Sequence, residues 1–127
     1  MAIHPSSVIS KEAVIGKNVE IGPFCIISGK VRIGDDCVLE SHVSIGNEWG
    51  IGEIGKNNRI CASAAIGGPP QDLSYKGEPT KVEVGDGNLI REFVTINCGT
   101  AKAGSGVTRV GNDNMIMAYA HLAHDVQ

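Results

Sequence analysis

The sequence predicts an all-β chain wound as a parallel solenoid, and three observations carry that expectation. Branched apolar residues recur every six positions, at Ile3, Ile9, Ile15, Ile21, Ile27, Ile33, Leu39, Ile45 and Ile51. A small or medium residue stands two places before many of these rungs, as at Ala13, Val19, Cys25, Val31, Cys37 and Val43. Ile-Gly pairs recur at Ile15, Ile21, Ile33, Ile45 and Ile51, with Asn and Asp scattered between rungs. A helix face repeats at about 3.6 residues, so a period of six rules it out. Residues two apart on a strand share a face, so each hexad gives one short strand with two inward side chains. Gly, Asn and Asp supply the turns between strands. Three hexads close one coil of a prism, and the coils stack.

Residues 1–53 read as scaffold. Lys17, Asn18, Asp35 and Asp36 fall at solvated turns, and His4 and His42 lie off the inward positions. Trp49 is too large for its place in the hexad and is expected to cover a bent corner. The ladder slips by three residues after Ile51 and resumes at Ile54, Ile60 and Ile66. Residues 67–83, GGPPQDLSYKGEPTKVE, then break the repeat, and their prolines and glycines predict an external loop. Loops on a rigid scaffold commonly carry function. Gln71, Asp72, Ser74, Tyr75 and Lys76 cluster there, and a carboxylate beside an amide suits sugar hydroxyls.

The ladder returns as Val84, Ile90 and Ile96, with Arg91 and Glu92 placed outward where they can pair. A second external loop is expected at 101–109, AKAGSGVTR. Its Gly104 and Gly106 form no phosphate cradle, because no helix is expected to follow. Val110, Ile116, Leu122 and Val126 continue the last coil. His121 should point outward, and His124 and Asp125 fall in a turn. Two histidines three apart beside an aspartate can bind a metal, exchange protons, or be solvated. A metal needs a third ligand nearby, and His4 and His42 are several coils away, so proton exchange ranks above metal binding. No metal or cofactor is expected.

Composition narrows the class. The 127 residues are expected to form one domain, and 17 glycines with 4% aromatics suit a turn-dense solenoid. A net charge of −3 is small and of the wrong sign for nucleic acid. No stretch has the length of a membrane span, and MAIHPSS lacks the basic and apolar regions of a signal peptide. A cytoplasmic location is expected. The 4 cysteines show no metal or redox spacing, and Cys25 and Cys37 are expected to be small inward fillers.

PPQDLSYKGEPT, IREFVTINCGT and AHLAHD, in this order and after an N-terminal IHPSSVIS, resemble the acyl-ACP–UDP-N-acetylglucosamine O-acyltransferases. The resemblance covers essentially the whole chain. It implies a left-handed parallel β-helix, a homotrimer with sites between neighbouring prisms, and the first step of lipid A biosynthesis. The implied substrates are UDP-N-acetylglucosamine and a 3-hydroxyacyl group on acyl carrier protein. His124 would then be the general base toward the sugar 3-hydroxyl and Asp125 would orient its ring. His121, Asp72 and Gln71 would hold substrate. Asn97 occupies a family position near the nucleotide or donor and can still donate a hydrogen bond.

The family commonly has QDLKY and TIHRGT where this chain has Ser74, Asn97 and Cys98. The lost cation is expected to weaken binding more than it changes the chemistry. Family members continue with further coils and a helical domain, so the chain is expected to be a truncated form of such an enzyme. Other readings are an N-acyltransferase on a 3-amino sugar nucleotide or a later lipid A intermediate, a metal lyase of carbonic-anhydrase type, and a non-catalytic scaffold.

Overall fold

A computed structural model describes residues 2–101 and 106–126. They form a left-handed parallel β-helix of fifteen short strands. One face of the prism stacks β1 (Ala2–Ile3), β4 (Glu20–Ile21), β6 (Val38–Leu39), β8 (Arg59–Ile60), β11 (Leu89–Ile90) and β14 (Met115–Ile116). The second face stacks β2 (Val8–Ile9), the start of β5 (Ile26–Ile33), the start of β7 (Ser44–Ile54), β9 (Ala65–Gly68), β12 (Thr95–Asn97) and β15 (His121–Leu122). β3 (Val14–Ile15), the far ends of β5 and β7, β10 (Lys81–Val84) and β13 (Val107–Val110) make the third. β5 and β7 run round a corner, which joins the second and third faces into one nine-stranded sheet. Among the described residues no helix is long and apolar enough to cross a membrane.

Side chains on the rungs fill the prism. Ile27, Ile33, Leu39, Ile45, Ile60, Ile66, Ile90 and Ile96 are fully buried, and Val19, Cys25, Cys37, Val43 and Val94 fill the spaces beside them. The cysteines do more than fill. The Sγ atoms of Cys25 and Cys37 donate to the carbonyls of Glu40 and Gly55, each at 3.0 Å. Asn58 and Asn88 take the same inward column as Cys37, which the hexad pattern reserves for small apolar groups. Their amides donate to the carbonyls of Gly85 (2.8 Å) and Gly111 (2.9 Å) in the next coil. Their side-chain oxygens accept from the backbone of Asn88 and Asn114. Buried polar groups persist only when paired in this way.

Coil lengths place the insertions. Down the first face, Ala2, Glu20, Val38, Arg59, Leu89 and Met115 lie opposite one another in sequence. The first coils therefore have 18 residues, and the later ones swell by an insertion. Ile33 pairs with Ile54, so the three-residue slip precedes Ile51 rather than following it. Ile51 lies opposite Lys30 and Lys81 and is not an inward rung. The first external loop spans 69–80, narrower than 67–83, because Gly67 and Gly68 continue β9 and Lys81 already belongs to β10. Gly67 has φ 81°, and a Cβ there would lie 3.2 Å from the Gly46 nitrogen, so only glycine lets the coils approach. The ladder's second break, expected at 101–109, opens earlier, after β12 ends at Asn97, and closes earlier, since β13 starts at Val107. Residues 102–105 of that stretch, with Gly104, lie outside the described residues.

Candidate functional site

Consecutive residues on a strand point to opposite faces, so His124 and Asp125 could not meet on one. They follow β15 in a turn, where Asp125 has φ 67°. Aspartate is among the residues that enter this left-handed region at modest cost. The turn brings His124 Nδ1 within 2.9 Å of Asp125 Oδ2. The side chains are 32% and 16% exposed, so the imidazole reaches solvent while the carboxylate sits beneath it.

Asp125 is tied down on three sides. The backbone N–H of Thr100 donates to Oδ1 at 2.9 Å and to Oδ2 at 3.1 Å, and the Thr100 hydroxyl donates to Oδ2 at 2.8 Å. The Asp125 backbone N–H donates to the hydroxyl of Thr108, which is fully buried. Burial pushes the Asp125 carboxyl up, but hydrogen bonds from His124 and Thr100 outweigh it and hold the group below its ordinary value. An ionised carboxylate only accepts, so in the neutral imidazole Nδ1 of His124 carries the proton and Nε2 keeps the lone pair. In that form the ring is able to take a proton at Nε2.

Thr100 also links this pair to the 69–80 loop. A cavity of about 500 Å³ is lined by Asp72, Ser74, Tyr75 and Glu78 from the loop and by Thr100 and Ala101 below it. Asp72 Oδ1 accepts from the backbone and hydroxyl of Ser74 at 2.9 and 2.8 Å, which holds the carboxylate in a tight turn. Ser74 thus orients Asp72. The Tyr75 hydroxyl donates to the Glu78 carbonyl at 2.6 Å.

Other residues singled out in the sequence fall around this centre. His121 is exposed on the outer side of β15, and its Nδ1 lies 2.7 Å from the Thr95 hydroxyl. Gln71 is exposed on the loop. Asn97 is 9% exposed, its amide donates to the Pro69 carbonyl at 2.7 Å, and its Oδ1 has no partner. Gln71, His121 and Asn97 do not line the cavity. Trp49 lies in the insertion of β7, where that strand passes from the second face to the third. Its ring meets Tyr75 edge-on, with centroids 6.5 Å apart, and lies over Gly77. Arg91 and Glu92 pair at 3.0 Å on the surface. Thr100 and Thr108 were not foreseen, because their partner Asp125 is far away in sequence. Among the described residues no three His, Cys, Asp or Glu side chains converge as a metal would require.

The profile described as "Bacterial transferase hexapeptide (six repeats)" matches residues 12–47. The acyl-[acyl-carrier-protein]–UDP-N-acetylglucosamine O-acyltransferase of Xanthomonas euvesicatoria pv. vesicatoria is 56% identical over 123 residues, covering 97% of this chain and 45% of that protein. The enzyme of the same name from Polynucleobacter asymbioticus is 57% identical over 125 residues, covering 98% of this chain and 46% of its own length. Among solved structures, the Francisella novicida UDP-N-acetylglucosamine acyltransferase superposes with a TM-score of 0.91 at 49% identity, over 97% of this chain and 44% of that one. The chain spans a little under half the length of the curated relatives it matches.

Proposed function

We propose that this chain, which belongs to the acyl-ACP–UDP-N-acetylglucosamine O-acyltransferase family, carries the acceptor-activating site of an enzyme that moves a 3-hydroxyacyl group from acyl carrier protein to the 3-hydroxyl of UDP-N-acetylglucosamine. That transfer is the first step of lipid A biosynthesis. The observation that carries the reading is the His124–Asp125–Thr100 chain of hydrogen bonds beside a cavity walled by Asp72.

A sugar hydroxyl is a poor nucleophile at neutral pH. Nε2 of His124 accepts its proton as the oxygen attacks the thioester carbonyl. The C–S bond then breaks, the acyl group stays on the sugar oxygen, and the carrier's thiolate leaves as the thiol once the imidazolium returns that proton to it. The imidazolium formed faces the Asp125 carboxylate, which favours it and fixes the ring. Asp72 accepts hydrogen bonds from sugar hydroxyls, with Gln71 and His121 as further contacts. Asn97 stands at the root of the loop, where its amide holds the Pro69 carbonyl.

The working unit is a homotrimer in the cytoplasm. Support for assembly comes from the outer side of the second face, where Val8, Ile26, Ser44, Ala65, Thr95 and His121 stack in register without one charge. The third face instead presents Arg32, Glu53, Glu83 and Arg109. Contact between copies through the uncharged face brings His121, and His124 beside it, to the junction. The test is acyl transfer from a 3-hydroxyacyl-ACP by the chain extended to the length of its relatives, with UDP-N-acetylglucosamine and its 3-amino counterpart as acceptors. Preference for the hydroxyl sugar is expected. Preference for the amine moves the assignment to an N-acyltransferase, and transfer to neither removes it.

A further inference from the structure

The 69–80 loop poses a physical problem. It leaves the prism between β9 and β10, and Gln71, Leu73, Ser74 and Lys76 are exposed, Leu73 completely. Apolar burial therefore does little to hold Asp72 in one place. Something else must fix the loop, because a substrate contact misplaced by an ångström loses much of its value.

Asn47 meets that need. It belongs to the three-residue insertion in β7 and is 8% exposed. Its Nδ2 donates to the Gly67 carbonyl at 2.7 Å, where the chain leaves for the loop. Its Oδ1 accepts from the backbone N–H groups of Trp49 and Gly50, both at 2.8 Å. One side chain thus ties the outgoing end of the loop to the segment that presents Trp49. The indole in turn walls the returning arm at Tyr75 and Gly77, and Tyr75 lines the same cavity as Asp72. Asn97 grips the adjoining Pro69 carbonyl from the other side. The insertion and the loop, which look like separate interruptions of the repeat, are two halves of one device.

We infer that Asn47 is a positioning residue for the acceptor site, clamping the loop through Gly67 and Trp49 so that Asp72 stands over Thr100. The inference rests on the sugar-nucleotide reading above. Asn47→Asp tests it, since the isosteric side chain still accepts from Trp49 and Gly50 but cannot donate to the Gly67 carbonyl. Trp49 is the single tryptophan of the 127 residues, so its emission in this chain reports whether the loop still covers it.

Asn47→Asp is expected to shift that emission while the thermal melt remains cooperative. In the extended chain it should raise the KM for UDP-N-acetylglucosamine about tenfold, the effect of roughly one lost hydrogen bond, with kcat changed less than about twofold. Trp49→Leu, at a half-exposed position that tolerates change, should raise the same KM and serves if Asn47→Asp does not fold. Unchanged KM in the folded variants overturns the clamp, as does unchanged Trp49 emission in Asn47→Asp. A shifted emission in a protein that transfers nothing to UDP-N-acetylglucosamine upholds the clamp and removes the sugar-nucleotide reading.

Discussion

At the scale of single residues, the site turns on one backbone angle. Asp125 at φ 67° places its carboxylate under the imidazole of the preceding residue. Gly99 makes room for it, because a Cβ there would come 2.6 Å from Asp125 Oδ1 and collide with the backbone of Gly106 and Val107. Gly99→Ala should therefore displace the carboxylate and lower kcat by about 10²-fold, as misplacement by an ångström does. Unaltered kcat would show that the close approach is dispensable. Asp125 also sets a pH dependence of stability. Its folded-state value lies below the ordinary one, so the ionised group stabilises the fold above the usual carboxylate range. That contribution disappears as pH falls through the depressed value. Denaturant melts of wild type and Asp125→Asn should thus converge as pH falls through and below the ordinary carboxylate range, whereas a gap independent of pH contradicts the assignment.

At the scale of elements, much of the coil was legible and the insertions were less so. The hexads reveal each inward rung because burial acts locally, residue by residue. The slip near Ile51 is hidden, since Ile45-Gly46 and Ile51-Gly52 look alike until Ile33 is seen to pair with Ile54 in the next coil. Loop boundaries blur for the same reason. Gly67 reads as a breaker, yet it continues β9 against Gly46. His124, Asp125 and Asp72 could be named from resemblance, whereas Thr100 acts through a partner 25 residues on and nothing local marks it. The asparagine column was equally invisible, because an amide at an inward position looks like a misfit until its carbonyl partner in the next coil is known. Asn88→Ala leaves the Gly111 carbonyl and the Asn114 N–H without their partner. It should cost about 1–3 kcal/mol in a urea melt; a loss within experimental error would mean that water replaces the amide.

For the whole molecule, the three faces of the prism divide the work. One is charged, with Lys81 bridging Glu53 (2.7 Å) and Glu83 (3.1 Å) and Arg109 pairing with Glu83 at 2.8 Å. Such a surface suits solvent. The uncharged second face ends at His121, next to the proton acceptor. Ser44→Arg places a cation in the middle of that face, where desolvating it is costly. The proposed trimer should dissociate in light-scattering measurements, with activity falling in parallel, and an undisturbed assembly would place the interface elsewhere. The account as a whole rests on His124 as the base. Its most direct test is the turnover of His124→Ala against wild type in the extended chain, at saturating UDP-N-acetylglucosamine and 3-hydroxyacyl-ACP. Loss of general-base catalysis predicts a fall in kcat of about 10²–10⁴; turnover equal to wild type contradicts the mechanism.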